Sequence, residues 1–327
     1  MDKKLTVQEG IELKKRINEI KSKFHSQELL EKEIEKIRKQ IISERIQTPK
    51  LETPKRQEKI IELVSRIPTL PTNALVPFPN FLAKTSVFSP LKRNLNPEKK
   101  NTNGDWVQLQ TPPHYTLLYN GPYLTMEEQN LYTLLIKKAE GSSSDESIYI
   151  SRYNILKELG YVTVSSHQYK WLYQAMNHLI QANIKIILET NIIKNIFEEE
   201  SDNKINEITM HLIDEFSYNG EVYSFKINKN SLFLYSSNNY AWNNLETKKE
   251  ILDKSSKGTN MWIYSFILSE SKGEHSYKID TIYKYINSSK KMADFRKDLE
   301  YAFNLMLELK VINRFHLHEN QYITWER

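Results

Sequence analysis

Between Gln8 and Gln47, Leu13, Ile17, Ile20 and Phe24 recur at steps of four, three and four. Leu30, Ile34, Ile37 and Ile41 repeat that rhythm. Such spacing keeps one side of a helix apolar. Six positions separate Phe24 from Leu30, so the two stripes are out of phase. The region therefore reads as an interrupted coiled coil, as two helical segments bent near His25-Ser26, or as one charged helix that frays. The rhythm then stops. Eight of the eleven prolines fall between Pro49 and Pro97, which leaves room for one short helix over Gln57–Ser65 and excludes long helices or central strands.

Past Tyr115 the same order of elements is predicted twice. The first pass begins with a strand over Tyr115–Tyr119 and a helix to Ala139, capped by Thr125 with Glu128 three residues on. A short strand Ile148–Ile150 follows, then a helix capped by Ser151 and ending at Gly160. A longer helix runs from about Ser166 to Ala182, its apolar stripe formed by Tyr169, Leu172, Met176 and Leu179. Strands over Ile184–Thr190, Glu207–Phe216 and Glu221–Ile227 close the pass, the last two joined by Asn219-Gly220, a hairpin signal. In the second pass helices are expected over Asn243–Asp253 and Thr259–Ser269, a strand over Ser276–Lys278, and a helix from Asp280 to Ile286. A long helix from about Lys290 to Lys310 carries Met292, Phe295, Leu299, Ala302, Met306 and Leu309 on one side. Strands Val311–Leu317 and Gln321–Trp325 end the chain as given.

Helix, strand, helix, turn, long helix and hairpin is the winged-helix form of the helix-turn-helix. The expected fold is α+β: a helical, possibly coiled-coil extension (1–47), a Pro-rich linker (48–76), and two tandem winged-helix domains (77–228 and 229–327). Asn228–Trp242 reads as the join between them, and Lys92–Asp105 as a polar loop.

In a helix-turn-helix the second helix offers its N-terminal residues to the major groove. The helix from Lys290 fits this, with Lys290, Lys291, Arg296 and Lys297 expected in its first two turns. Ser288 and Ser289 lead into it with hydroxyls suited to phosphate oxygens. Arg296 is the candidate for a guanine edge, and the three lysines are candidates for phosphates. Arg314, on the following strand, joins this set. A solvated face is the plainer alternative, with Asp294, Asp298 and Glu300 pairing the cations. The matching residues of the first domain, Ser165, Ser166, His167, Gln168 and Lys170, hold one fixed positive charge. They suit DNA contact or a dimer interface equally, and Tyr173, Gln174 and Asn177 share their face.

Charge adds a little. The net is +5, and residues 1–56 carry fifteen Lys/Arg against ten Asp/Glu, so the excess sits at the N-terminal end. Six basic residues and two acids between Lys278 and Lys297 form a tighter cluster. The chain has no cysteine, which removes disulfides, thiolate zinc sites and cysteine nucleophiles. It has no phosphate-binding Gly-x4-Gly-Lys-Ser/Thr loop, and no cofactor is expected. The first residues lack a secretory apolar stretch and no run reaches a membrane span, so a cytoplasmic protein without a small-molecule substrate is expected. His316 and His318 share one strand face, as metal-dependent nickases require, but such enzymes need a third ligand and a helical tyrosine, and Tyr322 falls on the next strand. The run Glu198-Glu199-Glu200 with Asp202 reads as a solvated loop.

Four stretches resemble the TrfA/RepA-type plasmid replication initiators. They are Pro79-Asn80-Phe81 with Ser86-Val87-Phe88; Tyr119-Asn120-Gly121-Pro122 through Leu124 and Gln129–Ala139; Leu232–Leu245 with Tyr240 and Trp242; and Phe295-Arg296 through Leu309-Lys310-Val311-Ile312. The resemblance spans about Pro77 to Arg327. It implies a non-enzymatic protein that binds double-stranded DNA at repeated origin sites, opens the duplex, and recruits the host initiator and replicative helicase. It also implies a monomer–dimer balance. Lys84 stands where the family has arginine, and Asn287 where it has cysteine or glycine. A winged-helix repressor of its own promoter, a nickase and a protein-binding adaptor are the other readings.

Overall fold

The computed structural model describes residues 68, 70–72, 74–90, 102, 104–143, 145–188, 207–319 and 321–327. The helices expected over Gln8–Gln47 and Gln57–Ser65, most of the Lys92–Asp105 loop, and the acidic run after Phe197 lie outside the described residues.

Chain order starts with β1 (Leu75–Pro79), the single turn α1 (Asn80–Ala83) and the short β2 (Phe88–Ser89). The two prolines of β1 are tolerated because it belongs to a two-stranded sheet, where one side of the strand makes no ladder bonds. Next come β3 (Val107–Leu109), β4 (Tyr115–Asn120), β5 (Leu124–Thr125) and α2 (Met126–Lys138). Thr125 and Glu128 form the expected capping box at the start of α2.

β6 (Ile148–Ser151), α3 (Arg152–Glu158) and α4 (Ser166–Gln181) follow, then β7 (Asn183–Leu188), β8 (Glu207–His211), β9 (Ile213–Tyr218) and β10 (Val222–Ile227). The single strand expected over Glu207–Phe216 is divided at Leu212, because β8 extends one sheet and β9 starts another. Those sheets run β3-β4-β7-β8 and β6-β10-β9.

A 3-10 stretch (Lys229–Asn238) leads to β11 (Tyr240–Asn244), α5 (Leu245–Lys254) and α6 (Gly258–Leu268). This segment between the modules is core, with Leu232, Phe233, Leu234 and Tyr235 buried. The helix expected from Asn243 begins at Leu245, since Asn243 and Asn244 complete β11 and the Asn244 carboxamide caps the helix. The chain ends with β12 (Glu274–Lys278), α7 (Ile279–Ile286), α8 (Met292–Glu308), β13 (Arg314–Leu317) and β14 (Tyr322–Glu326), whose sheet runs β12-β14-β13.

Two modules thus share one local topology. A strand, a short helix and a long helix are followed by a hairpin whose last strand pairs with that first strand. The first module inserts β7 and β8 before its hairpin.

All described residues from Ile61 to Arg327 form one compact unit. β1 pairs antiparallel with β11 from Leu75↔Asn244 to Pro79↔Tyr240. α6, buried nearly all round, packs against α8 and α2. Its first residue lies so close to the Pro90 carbonyl that a Cβ on Gly258 would stand 2.3 Å from the oxygen, so only glycine fits. The Trp262 indole donates to the Thr85 carbonyl at 2.8 Å. The seam also buries polar groups. Lys248 is 3% exposed, its Nζ 3.4 Å from Thr133 Oγ1 and 5.5 Å from the Phe78 ring centre. Among the described residues no helix is long and apolar enough to cross a membrane.

Candidate nucleic-acid interface

Each module seats its long helix by the same spacing of buried residues. Leu172, Ala175, Met176 and Leu179 bury one side of α4, and Leu299, Ala302, Phe303 and Met306 bury one side of α8. With these matched, the outward stripes correspond as well. Ser166, His167, Lys170, Tyr173, Gln174 and Asn177 on α4 take the places of Ala293, Asp294, Lys297, Glu300, Tyr301 and Asn304 on α8. The α4 stripe holds no carboxylate. The α8 stripe holds two, against one lysine.

α4 begins with a capping box: Ser165 Oγ accepts from the His167 N–H at 3.3 Å, and Gln168 Oε1 accepts from the Ser165 N–H at 2.9 Å. These two candidates are therefore committed to the helix start. Ser166, His167 and Lys170 are exposed beside them. Lys170 and Gln174 have no side-chain partner among the described residues.

The approach to α8 is a built turn. Asn287 adopts the left-handed conformation (φ 53°) that ends α7, a geometry asparagine tolerates better than most side chains. The Ser288 N–H donates to the Tyr283 carbonyl at 3.2 Å, and the Tyr283 hydroxyl donates to the Lys290 carbonyl at 2.8 Å. Ser289 is exposed. Lys290 and Lys291 stand before the helix instead of within its first turns, with Lys291 at the cap position and Met292 the first helical residue.

The basic cluster divides on inspection. Lys290 and Lys257 both bind the half-buried Asp298, Lys257 at 2.9 Å. Burial pushes the Asp298 carboxyl up, but the two ammonium groups outweigh it and hold it below its ordinary value. Arg296 donates from Nη2 to the His318 carbonyl at 2.7 Å, tying α8 to the end of β13. Arg314 is paired with Glu274 and, at 2.7 Å, with Glu326. Lys284 pairs with Asp280 at 2.6 Å. Lys291 and Lys297 are exposed with no side-chain partner among the described residues. Lys84, at the family's arginine position, binds Glu270 at 2.8 Å.

His316 and His318 do share a side of the C-terminal hairpin, their ring centres 4.3 Å apart, and His318 Nε2 lies 3.0 Å from Thr324 Oγ1. Among the described residues no group of three or more His, Asp or Glu is placed to hold a metal ion.

One feature escaped the sequence reading. Arg152, the first residue of α3, lays its guanidinium 4.1 Å over the Tyr169 ring and donates to the Tyr218 hydroxyl at 2.5 Å. It lines a shallow cleft of about 270 Å³ between α4 and the end of β9, together with Lys170, Tyr173, Gln174 and Tyr218. Arg152 and Tyr218 are 66 positions apart, and no local pattern joins them.

No family model matches the chain, and no curated protein matches it. Among solved structures it is similar to domains 2 and 3 of RctB, at 7% identity over 68% of this chain and 90% of that chain, TM-score 0.39. It is also similar to the Pi initiator protein in complex with iteron DNA, at 15% identity over 61% of this chain and 88% of that chain, TM-score 0.43. A second structure of RctB domains 2–3 gives 10% identity, 68% and 91% coverage, and a TM-score of 0.39. These likenesses are distant.

Proposed function

We propose that this chain is a sequence-specific binder of double-stranded DNA built from two tandem winged-helix modules. The observation that carries the reading is the repeated topology: each module presents a long helix, exposed along one side, beside a hairpin closed onto the preceding strand. That is the arrangement by which a helix enters the major groove while flanking elements meet the backbone. Lys291 and Lys297 supply exposed positive charge for phosphates, and Ser289 supplies a hydroxyl at the approach to α8.

Its role is that of a plasmid replication initiator. Here the support is the resemblance of Pro79-Asn80-Phe81, Tyr119-Asn120-Gly121-Pro122 and Phe295-Arg296 to that family. In this role the protein binds repeated origin sites, passes between monomer and dimer, opens the duplex and recruits the host initiator and helicase, without enzymatic chemistry of its own.

The test is selection of bound duplexes from a random pool, followed by salt titration of the winner against scrambled DNA. A motif preferred by more than about a thousandfold supports the reading. Lys291→Ala is expected to weaken all duplexes alike and lower the salt slope by about one. Equal binding of every duplex, lost at modest salt, would sink it. Failure to melt an AT-rich duplex beside the selected repeats would leave a repressor in place of an initiator.

A further inference from the structure

We infer that α4, in the first module, reads the base edges, with Lys170 and Gln174 as the specificity-determining residues and the Arg152 cleft as the seat of a backbone phosphate. The inference rests on the DNA-binding reading above and adds to it a division of labour between the modules.

The outward stripes decide the matter. DNA presents a surface of phosphate charge, and a carboxylate pressed against it is repelled and stripped of water. α8 would bring Asp294 and Glu300 into the groove at the places where α4 brings His167 and Tyr173. The cations that single out α8 in the sequence are mostly engaged: Lys290 with Asp298, Arg296 with the His318 carbonyl, and Arg314 with Glu274 and Glu326. α4 has one fixed charge on its stripe, Lys170, with no carboxylate on that stripe and no side-chain partner among the described residues.

Its chemistry also suits reading. A glutamine carboxamide matches adenine N6 and N7, and a lysine ammonium matches guanine O6 and N7. Lys170 and Gln174 are four residues apart, so they stand one above the other on the same side of the helix. Both also line the cleft that holds Arg152. That guanidinium is held by Tyr169 and Tyr218 and gives one donor to the Tyr218 hydroxyl, which leaves its other donors for a phosphate. A phosphate there would set the register in which Lys170 and Gln174 meet base edges. α8 then contributes backbone attraction through Lys291 and Lys297.

The experiment is duplex selection with the full chain carrying Lys170→Ala, Gln174→Ala, Arg152→Ala or Lys297→Ala, each first matched to the parent by thermal melting. Lys170→Ala and Gln174→Ala should each relax preference at one or two base positions, by about 5- to 150-fold. Gln174→Ala should leave the salt slope unchanged. Arg152→Ala should weaken all duplexes by a similar factor and lower the slope by about one, and Lys297→Ala should leave the preference profile unchanged. The inference is overturned if Lys170→Ala and Gln174→Ala both leave the preferred bases unchanged, or if Lys297→Ala changes them. A parent chain that enriches no motif removes the DNA-binding reading itself and this inference with it.

Discussion

In the first module a guanidinium from the short helix, Arg152, bridges the long helix and the hairpin, whereas in the second the long helix supplies its own, Arg296. Tyr169 of α4 and Arg296 of α8 occupy matching places in the two helices. The difference shows that one position in a shared frame can serve as a ring for a cation to rest on or as the cation itself. It also shows that a basic cluster in sequence is not the same as a basic surface. The module with more cations spends most of them on neighbours, and the module with fewer leaves its outward side clear of acid.

The largest expected effects test whether the modules stand or fall together. Leu172 and Leu299 are both fully buried under their long helices. Leu172→Ala and Leu299→Ala should each cost roughly 2–5 kcal/mol, read by denaturant unfolding with fluorescence and circular dichroism. A single transition in both variants fits the joint made by β1, β11 and α6. Two separated transitions in either would show that the halves unfold independently.

Next in size is the seam itself. Burial pushes the Lys248 amine down to about 7 from 10.5. Between those values it is neutral when folded and protonated when unfolded, so the unfolded chain binds more protons and stability rises with pH across that window. Below about 7 both states hold the proton, and the cost of burying the charge is present in full. Lys248→Met should therefore stabilise the chain at pH 6 by on the order of 3 kcal/mol and flatten the rise between pH 7 and 10. An unchanged slope in that window would show that Lys248 meets water in solution. Smallest is the clasp of the second module: Arg296→Ala should cost about 1–2 kcal/mol and speed amide exchange at the end of β13. Equal exchange in the variant would remove Arg296 as a clasp.

What could be read from the chain alone was whatever the physics keeps local. The Thr125–Glu128 box and the Asn219-Gly220 hairpin depend on neighbours a few residues away, and both stand where the pattern put them. The start of α8 leaves no mark in the chain, because its cap position holds Lys291, whose side chain makes no capping bond. The helix after β11 likewise starts two residues past the expected Asn243, because Asn243 and Asn244 complete the strand and the capping bonds belong to Asn244. The Arg152 cleft and the β1–β11 pair join residues far apart in sequence, and nothing in either partner announces the other. For the site, residue types were visible, and so was Asp298 as a partner for the cations, but the engagement of Arg296 and Arg314 was not, since His318, Glu274 and Glu326 reach them through tertiary approach.

The pairing of β1 with β11 also has a bearing on synthesis. As the chain leaves the ribosome, Leu75–Pro79 emerges long before Tyr240–Asn244, and its apolar residues must wait while the whole first module passes. Closing so long a loop is slow compared with forming helices or hairpins. β1 is therefore expected to be among the last strands to pair, which leaves the apolar Val76 and Phe78 uncovered until β11 arrives.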